Sequence, residues 1–237
     1  SGGLTWASVS AGVTNLVENN SIWLGNDPSG TTSTAEQNVA VGTTALDAIT
    51  TGDKNTAIGY NSLTANTEGE FNVSIGRGAM TNNLTGDGNT AVGTAALDGN
   101  TTESNNTAVG NNSIITNCTE ADNTEVGVNA LQLNTAANNT AVGKSALANC
   151  VEAGNTAVGK SAGAEITSGS SNVAMGHEAL DAITTFSYNT AIGFRTLSAN
   201  FSSSDGANTA VGAEAGKQLT GSYNTCVGRP VSYTHLT

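Results

Sequence analysis

The sequence predicts an all-β chain, a parallel β-roll or β-solenoid of about thirteen rungs of ~17 residues each. Three observations predict it. The phrase N-T-A-V-G recurs with its asparagine at Asn38, Asn55, Asn72, Asn89, Asn106, Asn123, Asn139, Asn155, Asn172, Asn189, Asn208 and Asn224. A degenerate thirteenth copy, Ser21-Ile22-Trp23-Leu24-Gly25, stands in the same frame ahead of them. The fourth position of the phrase is apolar in every copy and mostly β-branched, which suits a strand. Glycine closes every copy from Gly25 to Gly228, so each strand ends at the same kind of turn. A unit this small cannot bury a hydrophobic face alone, and its stability must come from stacking on its neighbours.

Residues 1–19 lie outside the repeat frame and read as an N-terminal cap or linker; Leu4-Thr5-Trp6 and Val13 to Val17 are its apolar stretches. Residues 20–228 form the solenoid domain. In each rung the second and fourth positions share one face by strand alternation. The fourth is Leu24, Val41, Ile58, Ile75, Val92, Val109, Val126, Val142, Val158, Met175, Ile192, Val211 and Val227. The second is mostly Thr, with Ile22, Val39, Val73 and Val173 as exceptions. This apolar face is expected to point inward. The third position, usually Ala but Trp23, Ser74, Glu125 and Cys226 in four rungs, is expected on the opposite face, where small side chains let another layer or subunit approach and one Glu leaves the contact unsealed. A second apolar step, such as Ala45-Leu46, Ala96-Leu97 or Ala146-Leu147, predicts a second short strand per rung. A polar return rich in Thr, Gly, Asp, Asn and Ser completes the coil and absorbs all variation in repeat length. The asparagine column is expected to stack, each amide bonding to its neighbour or to the turn backbone. Thirteen rungs at about 4.8 Å predict a body on the order of 60 Å long.

Composition agrees with a thin cross-section: aromatics are 4% and charged residues 11% of 237 residues. The net charge of −12 argues against nucleic acid and anionic lipid as partners. No stretch is long and apolar enough to suggest membrane insertion, and no signal peptide is visible. Cys118, Cys150 and Cys226 do not make a disulfide framework. Cys118 and Cys150 stand two rungs apart, roughly 9 to 10 Å, beyond bridging distance. Cys226 occupies the alanine position and reads as a small buried filler.

Gly154-Asn155-Thr156-Ala157-Val158-Gly159-Lys160-Ser161 matches the phosphate-loop pattern. The repeat frame accounts for it, since Asn155 to Val158 is the repeated strand and no helix pattern follows. His177 and His235 are the only histidines, and no set of ligands converges for a metal. Neither cofactor nor metal is expected, and no nucleophile arrangement points to an enzyme. The threonine column raises ice binding as an alternative, although a ladder sharing its face with the apolar column is expected inside.

The units Asn20-Ser21-Ile22-Trp23-Leu24-Gly25 and Asn55-Thr56-Ala57-Ile58-Gly59 resemble the head repeat of trimeric autotransporter adhesins, the YadA-like head, and the long N-T-A-V-G-x-x-A-L array is similar to that of bacteriophage tail-fibre proteins. The resemblance covers residues 20 to 228. It implies a left-handed parallel β-roll, assembled as a parallel homotrimer and displayed outside the cell, on a virion tail fibre or a bacterial outer surface. The 17-residue unit is longer than the adhesin period, and no coiled-coil stalk or anchor is present. Residues 229–237 look like a translated library adapter, a non-native tail, and the natural chain is expected to continue.

The function expected is a non-enzymatic structural and adhesive segment of a trimeric surface fibre, a phage tail fibre somewhat before a bacterial adhesin. It would contact a host receptor, a glycan or a matrix protein. Tyr60, Arg77, Phe186, Tyr188 and Phe194 are the candidate surface-contact residues. A monomeric ice-binding solenoid is the alternative.

Overall fold

The computed structural model describes residues 15–18, 20–25, 34–113, 120–133, 135–198, 206–217, 219 and 221–229. Leu4-Thr5-Trp6, Val13, Cys118 and residues 230–237 lie outside them. The described chain is all-β, with no helix. A four-residue strand β1 (Asn15–Glu18) precedes β2 (Ser21–Leu24), and each later strand, from β3 (Val39–Val41) to β14 (Thr225–Val227), comprises three residues of one repeat. All fourteen form one sheet in chain order. β1 pairs antiparallel with β2, and every later pairing is parallel. Between the 1–19 segment and the solenoid, then, the chain doubles back once before stacking begins.

Register is held through every change of repeat length. Thr156 stands beside Thr140 across a 16-residue step, and Thr209 beside Thr190 across a 19-residue step. The device that holds it is the asparagine column. Asn38 Oδ1 accepts the backbone N–H of Asn55 at 2.8 Å, Asn55 Oδ1 that of Asn72 at 3.0 Å, and Asn72 Oδ1 that of Asn89 at 2.9 Å. The amide nitrogen of the same side chain crosses the rung: Asn38 Nδ2 donates to Gly52 O, Asn55 Nδ2 to Gly69 O, and Asn72 Nδ2 to Gly86 O. One buried amide therefore ties its rung to the next and closes its own coil, as the sequence led us to expect.

The two faces of the strand are the reverse of the expectation. The third-position column, including Ala40, Ala57, Ala91, Ala108, Ala141, Ala157, Ala174, Ala191 and Ala210, is buried in the core. The threonine and valine columns point outward, and Leu24, Ile58, Ile75, Val126, Met175 and Ile192 are among the exposed large hydrophobic side chains. Volume decides it. The opposite wall of the coil supplies the buried Ala–Leu steps, such as Ala45-Leu46 and Ala96-Leu97, together with Ile49, Ile166 and Ile183. With leucine filling a thin interior from one side, only an alanine-sized side chain fits from the other. Trp23 is the large exception and is buried in the first rung of the array. Ser74 is accommodated by Ser62, which donates to its hydroxyl at 2.7 Å, while Ser74 Oγ donates to Ala79 O. Glu125 is also buried in this column, so it marks no open contact. Cys226 is half-buried rather than buried, because it sits in β14, the last strand of the stack.

The predicted second strand is a turn. Leu46, Leu63, Leu97, Leu131, Leu147 and Leu180 all have φ between 41° and 54°, in the left-handed region. Rung-to-rung hydrogen bonds still run through it: Leu46 N–H donates to Ser62 O at 3.0 Å and Leu63 N–H to Ala79 O at 2.9 Å. The stack thus carries a conformation that a free chain avoids. At the strand's end, Gly93 has φ 141°, and a Cβ built there would stand 2.2 Å from Gly110 O of the next rung.

Three outcomes follow for equilibrium urea unfolding. Asn89→Ala strands the buried Asn106 N–H, at about 1–3 kcal/mol, while the Glu103 carbonyl that Asn89 also serves keeps its bond from Asn100 Nδ2. Thr90→Ala, one residue on but facing outward, should stay within about 0.5 kcal/mol of wild type. Gly93→Ala should lower the midpoint more than any outward substitution, since both φ and the adjacent backbone reject it.

Candidate binding face and its edges

The outward columns make a continuous face. Along it, an apolar row from Leu24 to Val227 runs beside the row containing Thr56, Thr90, Thr107, Thr124, Thr140, Thr156, Thr190, Thr209 and Thr225. The threonine row is unbroken over the five strands from Thr90 to Thr156. No charged side chain stands in either row.

Two edge columns flank the face. On one side, the residue after each closing glycine includes Tyr60, Arg77, Lys144, Lys160, His177 and Phe194. On the other, the residue before each asparagine includes Lys54, Phe71, Tyr188, Ala207 and Tyr223. The five sequence candidates therefore divide. Tyr60, Arg77 and Phe194 share the first edge, each in a different rung, and all three are exposed. Tyr188 is exposed on the second edge. Phe186, two residues before Tyr188, packs partly against the core and is only half-exposed. Its carbonyl receives Asn172 Nδ2 at 2.9 Å, so it serves the structure as well as the surface.

Aromatic and ionic contacts gather at both edges. The His177 and Phe194 rings stack with centroids 5.7 Å apart, and the Arg195 guanidinium lies 5.1 Å from the Phe194 centroid. Arg195 Nε donates to Glu178 Oε2 at 2.5 Å. That bond, then the guanidinium charge, lowers the Glu178 carboxyl below its ordinary value. On the second edge Lys54 Nζ stands 4.5 Å from the centre of the Phe71 ring. Sequence reasoning passed over Phe71 and Tyr223. Their signal was positional: Ser222-Tyr223-Asn224-Thr225 repeats Ser187-Tyr188-Asn189-Thr190 in the same frame, and Phe71 directly precedes Asn72.

The phosphate-loop match dissolves in the structure. Thr156–Val158 is a strand and a turn follows Gly159, so no helix N-terminus receives a phosphate. Among the described residues, no three His, Cys, Asp or Glu side chains gather where they could hold a metal ion. No described helix is long and apolar enough to cross a membrane.

Cys150 is buried, and that burial raises its thiol pKa. A raised folded-state pKa favours the protonated native form, so this contribution is complete below the unfolded thiol value and is lost as pH rises through the folded one. Iodoacetamide at pH 8 should leave Cys150 unmodified in native protein and alkylate it in urea, as peptide mass spectrometry would record.

Comparison with protein-family models, with curated proteins and with solved structures finds no significant match to this chain.

Proposed function

We propose that this chain is a structural and adhesive segment of a trimeric surface fibre, in which protomers bury their flat outward faces against one another. The observation that carries the reading is the row of outward apolar side chains that runs the length of the array. A face on the order of 60 Å long and about 10 Å wide exposes roughly 600 Å², at the upper end of what monomers leave to water. It approaches the ~800 Å² that each partner contributes to a stable interface. The repeat's resemblance to trimeric adhesin heads and tail fibres points the same way. The interface is then built from the valine and threonine columns rather than the alanine column, which the protomer's own core consumes. The role is non-catalytic, and the setting is a virion fibre or a bacterial outer surface. The edge columns, at the margins of such an interface, remain free to meet a receptor.

A second reading has its own support. The threonine row, expected inside, faces outward and runs unbroken and in register over five rungs of one parallel sheet. A monomeric ice-binding solenoid would use that same surface. The two readings compete, because assembly covers what ice would contact.

Light scattering after size exclusion should return three times the chain mass for the fibre. Val109→Lys with Val142→Lys, both outward, should dissociate it to folded monomers with an unchanged circular dichroism spectrum. A wild-type monomer that inhibits ice recrystallisation would sink the fibre reading in favour of the second.

A further inference from the structure

We propose that the second edge carries a binding site for one neutral pyranose ring, in the notch between Tyr188 and Tyr223. The proposal deepens the adhesive reading and rests on it for its biological setting. A cleft of about 290 Å³ opens here, lined by Thr185, Phe186, Tyr188, Ala207, Ser222 and Tyr223 among others. Its origin is legible rung by rung. Successive rungs present Ser187-Tyr188, Gly206-Ala207 and Ser222-Tyr223 at one register position. Backbone bonds from Ala207 N–H to Ser187 O and from Tyr223 N–H to Gly206 O keep the three in step. The middle rung has lost both the hydroxyl and the ring of its neighbours, and the cleft is the space they vacate.

The dimensions select a ring. Two rungs separate the tyrosines, about 9.6 Å along the stack, so a ring placed midway lies about 4.8 Å from each, within the ~4.5–7 Å range of ring contacts. Among the described residues, the lining holds no charged side chain, which disfavours ionic ligands. The Tyr188 and Tyr223 hydroxyls can each donate and accept a hydrogen bond, a capacity that a purely hydrocarbon ring would not use; the Ser187 hydroxyl is already bonded to Ser170. A neutral sugar offers C–H faces to the rings and hydroxyls to the rim, and so uses both. Tyr188 and Tyr223 are exposed before any ligand arrives, so they need not be uncovered first.

Saturation-transfer difference NMR tests the site, with methyl pyranosides of glucose, galactose, mannose and N-acetylglucosamine as probes and phenol as the flat-ring control. At least one pyranoside should receive saturation from tyrosine, with Kd on the order of 1 mM. Tyr188→Ala and Tyr223→Ala should each weaken it about ten-fold, and Tyr60→Ala on the other edge should not. Ala207→Tyr should abolish binding by restoring the missing ring. It is tolerated by the backbone, because Ala207 at φ 58° matches Tyr188 at 64° and Tyr223 at 62°. No pyranoside signal at about 10 mM, equal binding by all four variants, or saturation of phenol alone would overturn the proposal. The solution mass, measured in parallel, separates the two ideas. A sugar-binding monomer removes the trimer and keeps the site, while a trimer blind to sugars does the opposite.

Discussion

The buried asparagine amide is the constraint on which the rest of this fold depends. A rung of 17 residues with a three-residue strand has little regular structure of its own, and its return segment must still bring backbone polar groups into the interior. The asparagine answers both needs: its oxygen takes the N–H of the rung above while its nitrogen holds the return segment's carbonyl. Because both atoms are committed, one residue sets vertical register and coil closure at once. Repeat lengths of 16 and 19 are therefore absorbed in the return without shifting any strand. Burying such a group unmatched is costly, and the ladder leaves its chain of partners complete from rung to rung.

From that closure follows the assignment of inside and outside. The coil is drawn tight enough that leucine from the far wall reaches the strand, and an alanine methyl fills the space beneath it in most rungs, with Trp23, Ser74 and Glu125 as buried exceptions. The strongest apolar signal in the sequence, the valine and isoleucine row, is thereby turned outward. Ordinary burial logic inverts here: the small, unremarked alanines are the core, and the β-branched row is a surface still to be covered.

This inversion shows what a repeat sequence discloses and what it withholds. Period, register, the closing glycine and the stacking asparagine were legible because each is a single-column constraint, read by aligning the chain with itself. Alternation also showed which positions share a face. It did not show which face is inward, because that depends on the volume the opposite wall supplies. Trp23 and Glu125 in the alanine column pointed away from burial, yet both are buried. The Ala–Leu step looked like a strand by composition, and its leucines instead take left-handed φ values that only stacking sustains. Of the edge residues, Tyr60, Arg77, Tyr188 and Phe194 were recognisable as exposed. Tyr223 was not, since its meaning lies in the alanine one rung away rather than in itself.

The stacking direction has a mechanical consequence. The hydrogen bonds of the sheet run along the rod, so a pull between its ends loads the rungs in series and peels them singly instead of shearing the sheet as a unit. Each peeled rung exchanges about 4.8 Å of stack for roughly 58 Å of extended chain. A tether built this way lengthens by about 50 Å per step and dissipates load in increments. It re-forms rung by rung on the same asparagine template when the tension falls.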